Sequence, residues 1–466
     1  MLINKLELTN FRRFRDHVLQ LSPKFNLIVG ENASGKTAIL EALAMLAGVV
    51  TVDSNHKIAK VRKITREQVR QKAFRQGQTL SLEPQYPSIV NVCGEYGGQS
   101  FNWGYSRSEE SGKSDEDTKD IALAVSSLHR EVRSGKKVDL PIVSFYGTQR
   151  LWSESPSPSG KAGIGLTSRL FGYKHCLDPS LSQEWLREWF RDSELLALQK
   201  KESNPTLEAC RSALKQCIQD CEEVYYEGTL KNLVVRIGEQ ILPITYLSDG
   251  YRSMLSIVAD IAIRCATLNP HLGEHAAIKT TGIVLIDELD LHLHPRWQRR
   301  IITDLMSAFP SIQFIATTHS PFVIRSPPEG KSTHLLNLDE GKDSTIGDKS
   351  VEDIAEWIQG VDLPQRSGRY VEMMNKAQQY FQMLESNSAV TDEERLTARK
   401  ELQRLTLPFG DSPAFHALVR MRELAAESSG KREDDELQDR AKRYIDLDGS
   451  RDNDTDHQAG MIGGEM

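Results

Sequence analysis

The spacing of apolar and polar residues changes several times along the chain and predicts alternating strands and helices. Residues 2–9 alternate between apolar and polar side chains, as in a strand with one buried face, and residues 25–29 form a short apolar run. Residues 36–47 instead carry apolar side chains at helical spacing. We therefore predict two strands followed by a helix, as at the start of an α/β fold.

The middle of the chain continues this alternation. The patterns predict two hairpins, a buried strand and two amphipathic helices, namely a hairpin over 88–105 turning at Gly97 and Gly98, a strand over 140–146, helices over about 181–200 and 205–224, and a hairpin near Gly238. Strands and helices then alternate to about residue 317, and only helical patterns follow residue 348.

These changes divide the chain into three predicted parts. Residues 1–330 are expected to form an α/β head with helical insertions at about 51–139 and 153–230. Residues 331–427 are expected to form a helical C-terminal extension, and residues 428–466 a charged tail that we expect to be disordered.

A glycine-rich loop joins the second predicted strand to the first helix. It matches the P-loop pattern G-x-x-x-x-G-K-[ST] completely, with the residues Gly30, Glu31, Asn32, Ala33, Ser34, Gly35, Lys36 and Thr37. In such a loop the backbone N–H groups and the following helix N-terminus face phosphate oxygens. Lys36 is expected to reach the β and γ phosphates of ATP, and the Thr37 hydroxyl to ligate Mg²⁺.

Two adjacent carboxylates close an apolar run much later in the chain. Residues 282–286 read as a buried strand, and Asp287 and Glu288 follow directly. A strand ending in this way would place Asp287 at the Mg²⁺ ion and Glu288 beside the γ phosphate, where it could polarise the attacking water. A strand that ends in Asp-Glu is common by itself. In a chain that also contains a P-loop, the acidic pair indicates a nucleotide site.

A histidine ends the next predicted strand. His319 follows the run 314–318 and lies 31 positions after Glu288, a separation that accommodates one helix and one strand. The adjacent strand end would let His319 touch the γ phosphate. A capping or packing role is the alternative for a single histidine.

A third segment would bind an anion away from the P-loop. Ser248 and Gly250 precede the apolar helix predicted over 254–265 and would offer a hydroxyl and N–H donors at its N-terminus. Within one chain this segment has no evident phosphate to bind. It makes sense if it closes over the ATP of a second copy, which predicts a homodimer or a higher homo-oligomer.

Taken in order, these segments resemble the ABC-type P-loop ATPases of the SMC, RecF and OLD kind, from Leu2 to about Ile324. The resemblance implies a head with a mixed β-sheet core and helices. It also implies these site assignments: Walker A at Gly30 to Thr37, the signature at Leu247 to Tyr251, Walker B at Ile283 to Glu288, the D-loop around Asp290, the switch histidine at His319, and Arg12 and Arg13 near the nucleotide. The signature departs from Leu-Ser-Gly-Gly-Gln at Asp249 and Tyr251, and Gln149 is a candidate for the Q-loop glutamine.

A finer resemblance is to the PtuA ATPase subunits of Septu anti-phage systems, including their retron-associated relatives. The residues that carry it lie at 140–152, 171–179 and 247–254. It implies an ATP-hydrolysing subunit that dimerises around ATP and regulates a separately encoded HNH-type DNA nuclease. A RecF-like repair ATPase is the nearest alternative, followed by an OLD-like nuclease and a transporter ATPase.

An OLD-like nuclease would need a second carboxylate cluster. Asp339 with Glu340, and Asp446 with Asp448, imitate one, but the residues between them read as helices without parallel strands to hold a metal site. A solvated loop and an acidic tail are the favoured interpretations, so we predict that the chain alone does not cut DNA.

Net charge limits where nucleic acid could bind. The chain has 58 basic and 65 acidic residues, a net charge of −7, so any DNA contact must be a local patch. A basic stretch, predicted to be helical, runs from Lys57 to Arg75, with Arg62, Arg66 and Arg70 on one face. It could contact DNA phosphates or the nuclease partner, and a solvated helix face is the alternative.

Other features indicate the compartment. No apolar run reaches the roughly 18 residues needed to cross a bilayer, and the first residues do not resemble a signal peptide. The six cysteines form no CxxC pair, which favours reduced thiols. We expect a cytoplasmic protein that does not contact a membrane.

Overall fold

The computed structural model describes residues 1–51, 63–76, 79–110, 114–151, 168–179, 183–218, 220–326, 333–339, 343–344, 351–357, 368–385, 392–406 and 421. The chain divides into two compact units, Met1–Gly360 and Val361–Met466. All of the described site residues belong to the first unit.

The described strands are numbered in chain order. They are β1 (Leu2–Phe11), β2 (Phe14–Gln20), β3 (Phe25–Val29), β4 (Gln71–Gln76), β5 (Thr79–Pro84), β6 (Ser88–Tyr96), β7 (Gln99–Arg107), β8 (Asp115–Asp117), β9 (Ile142–Tyr146), β10 (Cys221–Glu227), β11 (Asn232–Ile237), β12 (Gln240–Pro243), β13 (Gly282–Ile286), β14 (Ile312–Thr317), β15 (Thr333–Asn337) and β16 (Asp343–Ser344).

The described α-helices are numbered in the same way. They are α1 (Lys36–Ala47), α2 (Lys119–Arg133), α3 (Gln183–Lys200), α4 (Pro205–Cys217), α5 (Asp249–Leu268), α6 (Ala276–Lys279), α7 (Pro295–Gln298), α8 (Ile301–Ala308), α9 (Pro321–Ile324), α10 (Val351–Trp357), α11 (Gly368–Glu385) and α12 (Asp392–Thr406).

A six-stranded sheet forms the centre of the first unit. Its order is β16-β15-β3-β14-β13-β9, and every neighbouring pair is parallel except β15 with β16. Every residue of β3, β9, β13 and β14 is buried, which explains why these strands read as continuous apolar runs. Because parallel strands share one carboxyl edge, the segments that follow β3, β13 and β14 meet there.

An antiparallel sheet of order β2-β1-β6-β7-β8 packs into the same hydrophobic core. The Gln313 side chain joins the two sheets, because it accepts a hydrogen bond from the Ile3 N–H at 2.9 Å and donates one to the Ile3 carbonyl at 2.8 Å. A smaller antiparallel sheet, β10-β11-β12, and the hairpin β4-β5 complete the described strands. The α/β fold class predicted from the sequence is confirmed.

Several predicted elements differ from the structure. In the insertion over about 51–139, the hairpin predicted over 88–105 is present as β6 and β7, but the rest of its described part is helical only in α2, because it also contains β4, β5 and β8. The helix predicted over 205–224 ends at Cys217, since Asp220 has a left-handed φ of 61° and Cys221 begins β10. The central sheet extends past residue 330, because β15 pairs with β3.

Candidate functional site

The loop between β3 and α1 has the backbone shape that its sequence predicts. Gly35 immediately precedes α1 and has a φ of 98°, which is a glycine conformation. A Cβ at this position would also lie 2.6 Å from the Phe14 ring. The Ser34 N–H donates to the Glu31 carbonyl at 3.1 Å, so the loop turns back on itself before the helix begins.

The ammonium group of Lys36 lies across this loop. It donates to the carbonyls of Gly30 at 2.8 Å and Glu31 at 2.7 Å. Burial lowers the pKa of Lys36, and the carboxylates of Asp339, Asp287 and Glu288 oppose this shift. The lysine is therefore held by neutral carbonyl oxygens, which anionic phosphate oxygens could replace.

Asp287 connects the loop helix to two strand ends. Its carboxylate accepts hydrogen bonds from the Thr37 hydroxyl at 2.9 Å and the Thr317 hydroxyl at 2.6 Å. Its N–H donates to the Tyr146 carbonyl at 2.8 Å, which ties it to β9 as well. The predicted pair Thr37 and Asp287 is therefore in direct contact, although 250 positions separate the two residues.

The oxygen atoms of Thr37 and Asp287 fit Mg²⁺, which prefers carboxylate, hydroxyl and phosphate oxygens. In the part of the chain that the structure describes, no group of three or more His, Cys, Asp or Glu side chains could hold a metal ion alone. An ion at Asp287 would thus need phosphate or water ligands, as Mg²⁺ has when it accompanies a nucleotide.

Glu288 lies at a sharp backbone turn after β13. Its φ of 47° is left-handed, a conformation that costs a non-glycine residue on the order of 1 kcal/mol and is concentrated at functional sites. The turn is held because the Glu288 N–H donates to the Thr317 hydroxyl at 2.7 Å and the Leu289 N–H donates to the Thr317 carbonyl at 2.8 Å.

His319 and Asp290 belong to the same edge of the sheet. The Asp290 carboxylate accepts hydrogen bonds from the Thr318 hydroxyl at 2.5 Å and the His319 N–H at 3.3 Å. These bonds fix the segment after β14 beside the segment after β13, and His319 itself is exposed. The structure thus brings His319 to the neighbouring strand end, as its spacing predicts, while its contact with a phosphate stays a prediction.

The two arginines after β1 lie beside the loop. Arg13 donates a hydrogen bond to the Ala33 carbonyl, and Arg12 pairs with Glu41 of α1 at 2.8 Å.

Gln149, the candidate Q-loop glutamine, follows β9 by three residues and is exposed. It lies after the strand whose last residue, Tyr146, accepts the hydrogen bond from the Asp287 N–H.

The signature segment caps the long buried helix α5. The Ser248 hydroxyl accepts a hydrogen bond from the Tyr251 N–H at 3.4 Å, and Ser248 is exposed. Gly250 is buried, and a Cβ there would lie 2.2 Å from the His292 carbonyl oxygen. Only glycine therefore lets this helix approach the segment after Asp290 so closely.

The basic stretch is not the helix that its spacing predicts. Lys57 to Arg62 lie outside the described residues. Arg66 belongs to a single 3₁₀ turn, and Arg70 lies just before β4, which contains Lys72 and Arg75. The described cations therefore follow a turn and a hairpin strand, because β4 pairs with β5 along its whole length.

Sequence reasoning missed three groups at this edge, namely the Tyr146 carbonyl, the Thr317 hydroxyl and Asp339. The first two lie at the carboxyl ends of β9 and β14, where such sites form once the order of the parallel strands is known. Asp339 was interpreted as part of a solvated loop, but its carboxylate accepts a hydrogen bond from the Glu31 N–H at 2.6 Å. Glu340, Asp446 and Asp448 lie outside the described residues.

The described helices include none with the length and apolar character required to span a bilayer.

Comparison with known proteins gives two overlapping family matches. A family described as "AAA domain" matches residues 5–222, and one described as "AAA domain, putative AbiEii toxin, Type IV TA system" matches residues 191–325. The SMC head domain of Thermotoga maritima aligns with a TM-score of 0.40 and 17% identity, over 72% of this chain and 94% of that one.

The curated relatives include Septu PtuA proteins and retron ATPases. "Septu protein PtuA" of Bacillus mycoides is 27% identical over 72% of this chain and 41% of its own length. "Retron Vc95 probable ATPase" of Vibrio cholerae is 40% identical over 32% of this chain and 27% of its own length. The chain thus spans less than half the length of these relatives. Together with the P-loop and Asp287 geometry, the matches show a P-loop ATPase that is similar to PtuA.

Proposed function

We propose that the chain binds ATP with Mg²⁺ and hydrolyses it to ADP and phosphate. The observation that carries this proposal is the contact of Asp287 with both Thr37 and Thr317. It joins the end of the P-loop to the two strand ends where hydrolytic groups are needed. The N–H groups of the loop and Lys36 would bind the phosphates, and Thr37 and Asp287 would hold Mg²⁺, which neutralises phosphate charge when bound.

Hydrolysis requires a group that orients and polarises water. Glu288 follows Asp287 directly, and its N–H donates a hydrogen bond to the Thr317 hydroxyl. The backbone that carries the Glu288 carboxylate is therefore held next to the proposed metal ligand Asp287. We assign Glu288 as the general base and His319 as the group that contacts the γ phosphate. Arg12 and Arg13 would lie near the nucleotide because Arg13 already contacts the loop at Ala33.

A second copy would complete the site. Ser248 is exposed at the N-terminus of α5, and Tyr246 beside it is 78% exposed, so this segment offers donors at an open surface. We propose that two chains close around ATP, with Ser248 and Gly250 of each contacting the nucleotide of the other.

The biological setting we propose is anti-phage defence in the cytoplasm. The chain would regulate a separately encoded HNH-type nuclease, as the Septu resemblance implies. RecF-like repair is the alternative, since a RecF protein of Lachnoclostridium phytofermentans is 41% identical over 68 residues of this chain. That match covers 15% of the chain, whereas the PtuA match covers 72%.

We expect the purified chain to leave DNA uncut under all metal conditions, and to support cleavage only with the nuclease encoded beside it. The physical reason is that the described residues include no carboxylate cluster able to hold catalytic metal ions alone. The measurement is plasmid cleavage by chain, nuclease and copurified complex, with and without ATP. Metal-dependent cleavage by the chain alone, lost in Asp446→Ala/Asp448→Ala, would restore an OLD-like function.

We propose that the basic stretch contacts DNA through Lys72 and Arg75, the two cations that lie on β4. We expect Lys72→Glu/Arg75→Glu to weaken binding of all DNA sequences alike and to lower the salt slope by about 0.9 for each lost phosphate contact. The measurement is fluorescence anisotropy of a labelled duplex at several salt concentrations. Lys119→Glu/Lys200→Glu, at exposed helical positions, is the matched charge control.

If the hairpin binds the nuclease instead, Lys72→Glu/Arg75→Glu will break the complex and leave DNA affinity unchanged. If Lys72→Glu/Arg75→Glu leaves both DNA binding and the complex unaltered, the hairpin cations are solvent-exposed residues that bind neither partner.

A further inference from the structure

Asp339 provides a carboxylate at the phosphate loop and lies outside the ATPase motifs assigned in this chain. Its Oδ2 atom accepts a hydrogen bond from the Glu31 N–H at 2.6 Å. The same oxygen would lie 3.1 Å from a Cβ placed on Gly30. The carboxylate therefore covers the first turn of the loop.

The position of Asp339 is fixed by the central sheet. Asn337 pairs with Val29, so β15 ends beside the residue that precedes the loop. The Leu338 N–H donates to the Val29 carbonyl at 3.0 Å, and the Asp339 N–H donates to the Asn337 side chain at 3.0 Å. Asn337 is buried, so the turn that carries the carboxylate is attached to the central sheet.

The charge of Asp339 also affects the loop lysine. Among nearby carboxylates it makes the largest contribution that raises the pKa of Lys36, against the lowering effect of burial. A negative charge here would repel a triphosphate, so a favourable effect of the carboxylate must offset this repulsion. Its hydrogen bond to the Glu31 N–H holds the residues whose carbonyls, those of Gly30 and Glu31, bind the Lys36 ammonium.

We propose that Asp339 is a positioning residue for nucleotide binding, which anchors the first turn of the phosphate loop through the Glu31 amide. The anchored turn keeps the Gly30 and Glu31 carbonyls, and through them Lys36, in one arrangement before ATP arrives. This inference rests on the proposed ATP binding, and it concerns how the loop is held ready.

The test compares Asp339→Ala with Asp339→Asn, because the asparagine oxygen can still accept the Glu31 hydrogen bond whereas alanine cannot. The measurements are the Kd for MgATP by calorimetry, KM and kcat for hydrolysis, and hydrogen exchange of the Glu31 amide without nucleotide. Asp117→Ala and Asp117→Asn, on exposed β8, are matched controls. Lys36→Ala serves as the control for a protein that does not bind the nucleotide.

We expect Asp339→Ala to raise Kd and KM about tenfold with kcat nearly unchanged, the effect of one lost charge-assisted hydrogen bond. The Glu31 amide should exchange faster in this variant, and Asp339→Asn should stay within about threefold of wild type. Equal binding by Asp339→Ala and wild type, equal loss in both variants, or unchanged Glu31 exchange would overturn the inference. Failure of wild type to bind MgATP would instead overturn the proposed function.

Discussion

Replacing Glu288 with glutamine is expected to lower the rate of ATP hydrolysis by about 10²-fold or more while the Kd for MgATP stays nearly unchanged. Glutamine keeps the shape of the side chain and the locked backbone at Thr317, but it cannot accept a proton from water. Replacing Lys36 with alanine is expected to abolish binding, since it removes the only lysine of the phosphate loop. Phosphate release and calorimetry with MgATP measure the two effects.

Control variants separate these effects from general damage. Glu239→Gln and Lys231→Ala make the same chemical changes at exposed positions, and both should hydrolyse ATP as wild type does. A Glu288→Gln protein that turns over ATP at the wild-type rate would remove Glu288 from the mechanism. A Lys36→Ala protein with normal affinity would mean that the loop does not bind the phosphates.

Mixing two inactive variants is expected to restore activity if the signature works across an interface. Ser248→Arg and Lys36→Ala should each be inactive alone. In a mixed dimer one composite site carries both defects and the other is complete, because the interface is two-fold symmetric. Because ATP at an intact site holds a dimer together, only mixed dimers should form, and half of their sites are intact, so at most about half of wild-type activity should return.

The measurement is phosphate release after an equimolar mixture has been incubated long enough for subunit exchange. Exchange itself is checked with two affinity tags. A mixture of Lys231→Ala with Lys36→Ala is the control, because it combines a chain with two working motifs and a chain that cannot bind ATP. No recovery in chains that demonstrably exchange would mean that Ser248 acts within its own chain or has no role in hydrolysis.

The parts of the site that sequence could predict are those encoded by neighbouring residues. The P-loop needs a strand, a glycine-rich turn and a helix in immediate succession, and the structure has β3, the loop and α1 at the predicted residues. Asp287 and Glu288 were recognisable because they close a buried apolar strand.

The parts that sequence reasoning missed depend on contacts between distant segments. Thr317 becomes a site residue only because β14 lies between β3 and β13, an order that hydropathy does not contain. Asp339 reaches Glu31 across 308 positions, through the pairing of β15 with β3. The basic stretch was mistaken for a helix because cations four positions apart fit helical spacing, whereas pairing with β5 makes residues 71–76 a strand.

The central claim is that ATP joins two copies of this chain through the exposed signature segment. The most direct measurement is the solution mass of Glu288→Gln by light scattering, with and without MgATP, beside the double variant Glu288→Gln/Ser248→Arg. We predict that MgATP doubles the mass of the 52.5 kDa chain in the first protein and leaves the second unchanged. Saturation with MgATP and no increase in mass, or an equal increase in both proteins, would contradict the account.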